Sequence, residues 1–206
     1  LLIKGARQVG KSYIVAEFGR QDYESFISID FIGSPDLKRV FDGPIDADSI
    51  YRQISLVVPG VRFVPGRTLL FLDEIQECPR ARAALKYLAL DGRCDVVASG
   101  SLLGIRFKEE AALASIPVGY EREVEMAPLD FEEYLWARGY GEDDIANLRE
   151  YYESLMPVPV AVNQKMMQML REYLAVGGMP AVVDAFARTG NFAVAFDEQS
   201  RLLASY

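Results

Sequence analysis

The sequence has no histidine in 206 residues and only two cysteines. Without histidine there can be no Ser-His-Asp triad, no His-Glu-x-x-His zinc site and no imidazole proton shuttle. Any chemistry must come from carboxylates, lysine, arginine, hydroxyls or a cofactor. Cys78 and Cys94 have neither disulfide-framework nor metal-ligand spacing, and read as the reduced thiols of a cytoplasmic protein. No uninterrupted apolar run reaches about 18 residues, so no membrane-spanning helix is expected. Positive charge is scarce as well: 22 Lys and Arg stand against 30 Asp and Glu, a formal net charge of −8. A broad nucleic-acid footprint would lack the counter-charge that phosphates demand, which leaves room only for a small local contact to DNA or RNA.

What is present is globular. Half of the residues are hydrophobic and apolar blocks recur along the whole chain, enough to build a core. Short runs rich in β-formers predict strands over residues 1–4, 25–31, 68–72, 95–98 and 123–127. Helical spacing predicts helices over 12–19, 36–41, 48–57, 80–90 and 131–138. Ile14, Val15 and Phe18 share one side of the first. Ala84, Leu85, Leu88 and Ala89 form the stripe of the fourth. Strands alternating with helices in this way call for an α/β fold with a parallel sheet covered on both faces.

The prolines of Met156-Pro157-Val158-Pro159-Val160 stiffen a connector and place a boundary there. Residues 1–156 are expected to form the core and 157–206 a helical unit. Met166, Met167, Leu170 and Leu174 give that unit a stripe, and Gly177-Gly178-Met179-Pro180 a break. The chain opens at Leu1-Leu2-Ile3 inside a strand pattern and stops inside a helical one, so both ends are expected to be cuts from a longer protein.

Gly5-Ala6-Arg7-Gln8-Val9-Gly10-Lys11-Ser12 fits the pattern G-x-x-x-x-G-K-[ST] at every fixed position. Its glycines permit backbone angles closed to other residues, so that successive N–H groups can turn inward around a phosphate. The loop then feeds a helix N-terminus, whose unpaired N–H groups and dipole favour an anion. Lys11 is expected to reach the β- and γ-phosphates of a nucleotide, and the Ser12 hydroxyl to ligate Mg²⁺.

A carboxylate for the magnesium shell is expected from a second element. Leu69-Leu70-Phe71-Leu72-Asp73-Glu74 is an apolar strand ending in two acids, which puts them at the carboxyl edge of the sheet, where ligands bind in open α/β folds. Asp73 is the expected partner of Mg²⁺, through a bound water, and Glu74 the residue that polarises the attacking water. Ser99 and Ser101, at the end of the next strand, are candidates to contact the γ-phosphate or that water.

The loop 5–12 and Leu72-Asp73-Glu74-Ile75-Gln76, together with 99–104, 116–119, 128–134 and 177–180, resemble the prokaryotic AAA+-type ATPases that join a P-loop core to a C-terminal domain of uncharacterised function. The resemblance covers nearly all of the chain. It implies a P-loop NTPase three-layer sandwich with strand order 5-1-4-3-2 and a small helical C-terminal lid. It also implies Ser99 or Ser101 as the sensor position, with ATP and Mg²⁺ as ligands. Arg80, Arg82, Arg106 and Arg122 are the arginines available as fingers, and none is assigned. Three functions share these residues. The first is an ATPase that drives a conformational change in an attached domain, a protein partner or a second copy. The second is a slow nucleotide-dependent switch. The third is the motor of a DNA-processing enzyme whose nuclease-like domain lies outside this segment. No Asn-Lys-x-Asp stretch for guanine occurs, which sets GTP behind ATP.

Overall fold

The structure is a computed structural model that describes residues 1–101 and 121–205. The chain divides into two compact units, Leu1–Met126 and Ala127–Tyr206.

The first unit holds a five-stranded parallel sheet of β1 (Leu2–Gly5), β2 (Ser25–Asp30), β3 (Thr68–Asp73), β4 (Asp95–Ser101) and β5 (Glu123–Met126). The spatial order is β2-β3-β4-β1-β5, which is 5-1-4-3-2 read from the other edge. The central position of β3 explains its sequence: all six residues of Thr-Leu-Leu-Phe-Leu-Asp are buried, as a strand covered on both faces requires. Side chains alternate between the faces. Leu70 and Leu72 join Leu2 and Ala98 in one cluster, packed with Ile50 and Ile54 of α2 (Ala47–Val57) and with Leu85 and Leu88 of α3 (Pro79–Asp91). Leu69 and Phe71 join Ile3 and Val97 in another, under Val15 of α1 (Lys11–Asp22). The result is a three-layer α/β sandwich. Each fully buried Leu, Ile or Phe in it is worth roughly 1.5–3 kcal/mol over an exposed one.

Helix phase differs from the sequence reading in places. On α1 only Lys11, Val15 and Gly19 are buried, while Ile14 and Phe18 are about half exposed. Gly19 sets this phase, because a Cβ there would stand 2.2 Å from Cδ2 of Phe26 on β2. On α3 the buried stripe is Ala81, Ala84, Leu85 and Leu88, and Ala89 lies outside it. Pro35–Phe41 is a 3-10 helix, entered at Pro35 and carrying the buried pair Val40 and Phe41.

The second unit is helical: α4 (Phe131–Ala137), α5 (Glu142–Glu153), α6 (Val160–Val176), α7 (Pro180–Thr189) and α8 (Phe192–Ala204). Asp130 caps α4 in a reciprocal box with Glu133, an arrangement worth about 1 kcal/mol. The unit begins at Ala127, ahead of the proline connector near 157, because Tyr134 of α4 packs in one cluster with Val176, Val182, Val183 and Phe186. Helix α6 buries Met169 and Val176, with Met166 and Tyr173 partly covered. Met167 and Leu174, from the expected stripe, are exposed. Helix α5 escaped the sequence reading because it buries only Ile145. The break after α6 is a bridge to α4: Leu129 N donates to Gly178 O at 2.8 Å, and a Cβ on Gly178 would meet Leu129 O at 2.1 Å. Among the described residues no helix is long and apolar enough to cross a membrane.

Candidate functional site

The loop 5–12 leaves the carboxyl end of β1 and enters α1, and its shape follows from three residues. Gly5 closes the strand against β5, where a Cβ would stand 2.4 Å from Met126 O. Gly10 has φ +96° and is the N-cap of α1 without a side-chain cap. Gln8 also adopts a positive φ, of 63°, a conformation that costs a residue with a Cβ about 1–3 kcal/mol. Between them Val9, only 1% exposed, anchors the loop in the core. Ala6, Arg7 and Gln8 stay on the surface. The first N–H groups of α1 have no carbonyl one turn back within the helix, the geometry that suits a phosphate.

Lys11 is buried, 5% exposed. Its Nζ donates to Gly5 O at 3.1 Å and Ala6 O at 2.8 Å, so the ammonium sits inside the loop's curve. Burial holds its pKa below the ordinary lysine range, while the charges of Glu74 and Asp73 partly restore it.

Asp73 ends β3 in register with Asp30 of β2 and is also buried. Its carboxylate gathers three donors. The Ser12 hydroxyl donates to Oδ2 at 2.6 Å, Glu74 N donates to Oδ1 at 3.0 Å, and the Ser99 hydroxyl also donates to Oδ1. The loop and the acidic strand end, far apart in sequence, therefore meet directly. Ser99 is fully buried with its hydroxyl on Asp73. Ser101 lies beside Gly5 in the β1–β4 register and is 8% exposed.

Glu74 leaves the strand through a left-handed backbone turn, φ 54° and ψ 49°. Its carbonyl accepts from Glu77 N at 2.9 Å, closing the one-turn 3-10 helix Ile75–Glu77. That turn brings Gln76 back to Glu74, and Gln76 Nε2 donates to Glu74 Oε2. Gln76 is 6% exposed and, among the described residues, its Oε1 is buried without a hydrogen-bond partner. Sequence reading missed this contact. The only signal was an amide residue two positions beyond Glu74, in the turn Ile75-Gln76-Glu77.

Two of the arginines considered as fingers are engaged within the chain. Arg80 donates to Phe41 O and Gly43 O, and Arg82 pairs with Glu121 at 3.1 Å in a largely buried contact. Arg106 lies outside the described residues, as do 102–104 and 116–119 of the family-resembling segments.

The donors near Asp73 are oxygens of a hydroxyl and a carboxylate, the set a hard divalent cation takes. Among the described residues no group of three or more Cys, Asp or Glu forms a complete metal cage. The hydroxyl and carboxylate pair suits Mg²⁺, which takes one or two protein oxygens together with water and substrate phosphates.

Residues 1–135 match the sequence model of the AAA domain family. Among solved structures, the closed-state cryo-EM reconstruction of Hsp104 with ATPyS and FITC casein is similar, with a TM-score of 0.41 and 18% identity. That match covers 97% of this chain and 36% of that one. The Aeropyrum pernix ORC2 protein in ADPNP–ADP complexes matches with a TM-score of 0.35 and 17% identity, over 65% of this chain and 43% of that one. The chain thus spans less than half the length of either. Among curated proteins none matches.

Proposed function

The chain belongs to the AAA domain family, and from that premise we propose that it binds Mg-ATP in the loop 5–12 and hydrolyses it, coupling the cycle to a conformational change in an attached domain or partner. One observation carries this reading: the Ser12 hydroxyl of the loop and the Asp73 carboxylate at the end of β3 are in direct contact at 2.6 Å. A loop that was only a surface turn would have no reason to bring its hydroxyl to a buried acid.

The roles follow from the chemistry. Backbone groups of Gly5, Ala6, Arg7, Gln8, Val9 and Gly10 wrap the phosphates, and the Lys11 ammonium exchanges loop carbonyls for phosphate oxygens. Ser12 and, through a bound water, Asp73 would hold Mg²⁺, which would supply charge neutralisation to the nucleotide's phosphates. Ser99 fixes the Asp73 carboxylate. Glu74 accepts a proton from the attacking water, and Ser101, beside the loop, is the candidate for contact with the γ-phosphate. The helical unit Ala127–Tyr206 is the part proposed to respond to the nucleotide, as a lid. A cytoplasmic setting agrees with the two buried free thiols.

ATP binding and turnover measured together on the chain, Lys11→Ala and Glu74→Gln test this. Lys11→Ala is expected to lose binding, and Glu74→Gln to keep binding and lose hydrolysis. Binding with turnover no faster than that of Glu74→Gln would instead favour a slow nucleotide switch. No nucleotide binding at all would overturn the reading.

A further inference from the structure

The contact between Gln76 and Glu74 is unusual in what it leaves undone. A glutamine side chain offers two N–H donors and one carbonyl acceptor, and burying any of these without a partner is unfavourable. Gln76 is 94% covered, yet among the described residues its Oε1 has no partner, while Nε2 is committed to Glu74 Oε2. Turning the amide over would not help, because it would set Oε1 against a carboxylate oxygen. The orientation is therefore dictated by Glu74 alone, and the cost of an orphaned carbonyl is tolerated for that one bond. An apolar residue would fill this turn without the penalty, as Ile75 does next to it at 0% exposure.

The backbone is bent toward the same end. Glu74 takes the left-handed conformation that residues with a Cβ avoid, and the 3-10 turn that follows returns Gln76 to the Glu74 side chain. Strain of this sort persists only where surrounding structure enforces it. Glu74 N is meanwhile tied to Asp73 Oδ1. Glu74 is thus held at both ends, its amide by the acid beside it and its carboxylate by Gln76.

We propose that Gln76 is the positioning residue for Glu74. It pins the Oε2 side of the carboxylate, so that Oε1 is the oxygen presented to the attacking water. This rests on the hydrolytic role given to Glu74 above and deepens it. Gln76 touches no nucleotide, and it acts on the rate of the chemical step, where small losses of alignment are amplified.

The test compares the full chain with Gln76→Leu, Gln76→Glu, Glu74→Gln and the double variant Gln76→Leu/Glu74→Gln, reading Mg-ATP affinity, thermal midpoint and single-turnover hydrolysis. Gln76→Leu removes the orphaned carbonyl together with the donor, so it is expected to fold with an unchanged or higher midpoint and to bind Mg-ATP as the parent does. Its hydrolysis rate should fall roughly 10- to 100-fold, the scale expected for a misaligned catalytic group. Gln76→Glu, which sets two carboxylates together, should fall at least as far. In the Glu74→Gln background the Leu change should have no further effect, because a residue acting through Glu74 is silent once Glu74 is gone. Parent-like hydrolysis in Gln76→Leu, or an undiminished effect in the double variant, overturns the proposal and leaves Glu74's own role standing. A loss of affinity or thermal midpoint in proportion to the rate overturns it as well, in favour of a structural role. If the parent itself shows no Glu74-dependent hydrolysis, the ATPase reading has failed and the positioning role falls with it.

Discussion

Ser12 donates its hydroxyl hydrogen to Oδ2 of Asp73 at 2.6 Å, so the pair proposed to hold Mg²⁺ is in direct contact. Ser12 stands in the first turn of α1, after β1, and Asp73 at the end of β3; β4, which runs between those strands, supplies a second hydroxyl from Ser99. This makes the contact a test of coupling. Ser12→Ala and Asp73→Asn are each expected to raise the Mg²⁺ concentration needed for half-maximal turnover by at least about 10-fold. On the proposed role, in which the two residues serve one ion, the double variant should be little worse than the worse single one. A Mg²⁺ titration of ATP turnover reads this directly, and fully additive losses would separate the two roles.

Ser99 supplies a second, sharper prediction. Its hydroxyl is fully buried and spent on Asp73. Ser99→Ala should therefore act through Asp73, lowering stability by about 1–3 kcal/mol for a buried acceptor left short of a donor and weakening Mg²⁺ dependence. In an Asp73→Asn background the effect on turnover should vanish. If it persists there, Ser99 contacts the nucleotide itself. Ser101→Ala, measured beside it, should leave the Mg²⁺ requirement unchanged.

Much of this site was legible in the sequence because its chemistry is local. The spacing of Gly5, Gly10, Lys11 and Ser12 encodes the loop, and the apolar run before Asp73 encodes the strand that carries the acid. Short apolar runs rich in β-formers, two of them alternating, placed the five described strands within a few residues. What could not be read was phase and partnership. Nothing near Ile14 and Phe18 says that α1 turns Val15 and Gly19 to the sheet; that choice is made by Phe26, on another strand. Likewise the stripe of α6 depends on α4, through Tyr134 and Leu129, which pattern alone cannot locate. Gln76 was hidden for a related reason, since its contact with Glu74 depends on a backbone turn that only the φ of Glu74 reveals.

Gly178 allows a stability prediction independent of any nucleotide. Its amide carbonyl accepts from Leu129 N, and a Cβ would be driven to 2.1 Å from the Leu129 carbonyl oxygen, a backbone atom that cannot swing aside. Gly178→Ala is expected to destabilise the helical unit by about 1–3 kcal/mol or more, as overpacking does. Gly43→Ala is the control. Its Cβ would lie 3.5 Å from Gln53 Nε2, an ordinary contact with a flexible side chain, and its effect should stay within about 0.5 kcal/mol. Equal thermal midpoints for the two variants would contradict the close approach.

Tyr134 should make stability pH-dependent in the alkaline range. Burial, followed by the neighbouring Arg138 and Glu172, sets its phenol; burial and Glu172 raise it, Arg138 opposes them, and the net position is about 12 rather than the usual 10. The hydroxyl donates to Glu172 Oε2 at 3.3 Å, a bond that tyrosinate could not make. Because the folded value lies above the unfolded one, the folded state binds the extra proton between them. The stabilisation is complete below pH 10 and is lost as pH rises toward 12. At about 1.4 kcal/mol per unit the loss amounts to roughly 2–3 kcal/mol. Tyr23 is raised to about 12 as well, and Tyr51 further, so the parent's decline has several sources. Tyr134→Phe isolates one of them. Urea unfolding at pH 9 and pH 11.5 should show the variant losing less stability than the parent across that interval. At pH 9 it should start within about 1 kcal/mol of the parent, the worth of one neutral hydrogen bond. Parallel losses in the two proteins would mean that Tyr134 ionises alike in the folded and unfolded chain, and that its burial does not hold the proton.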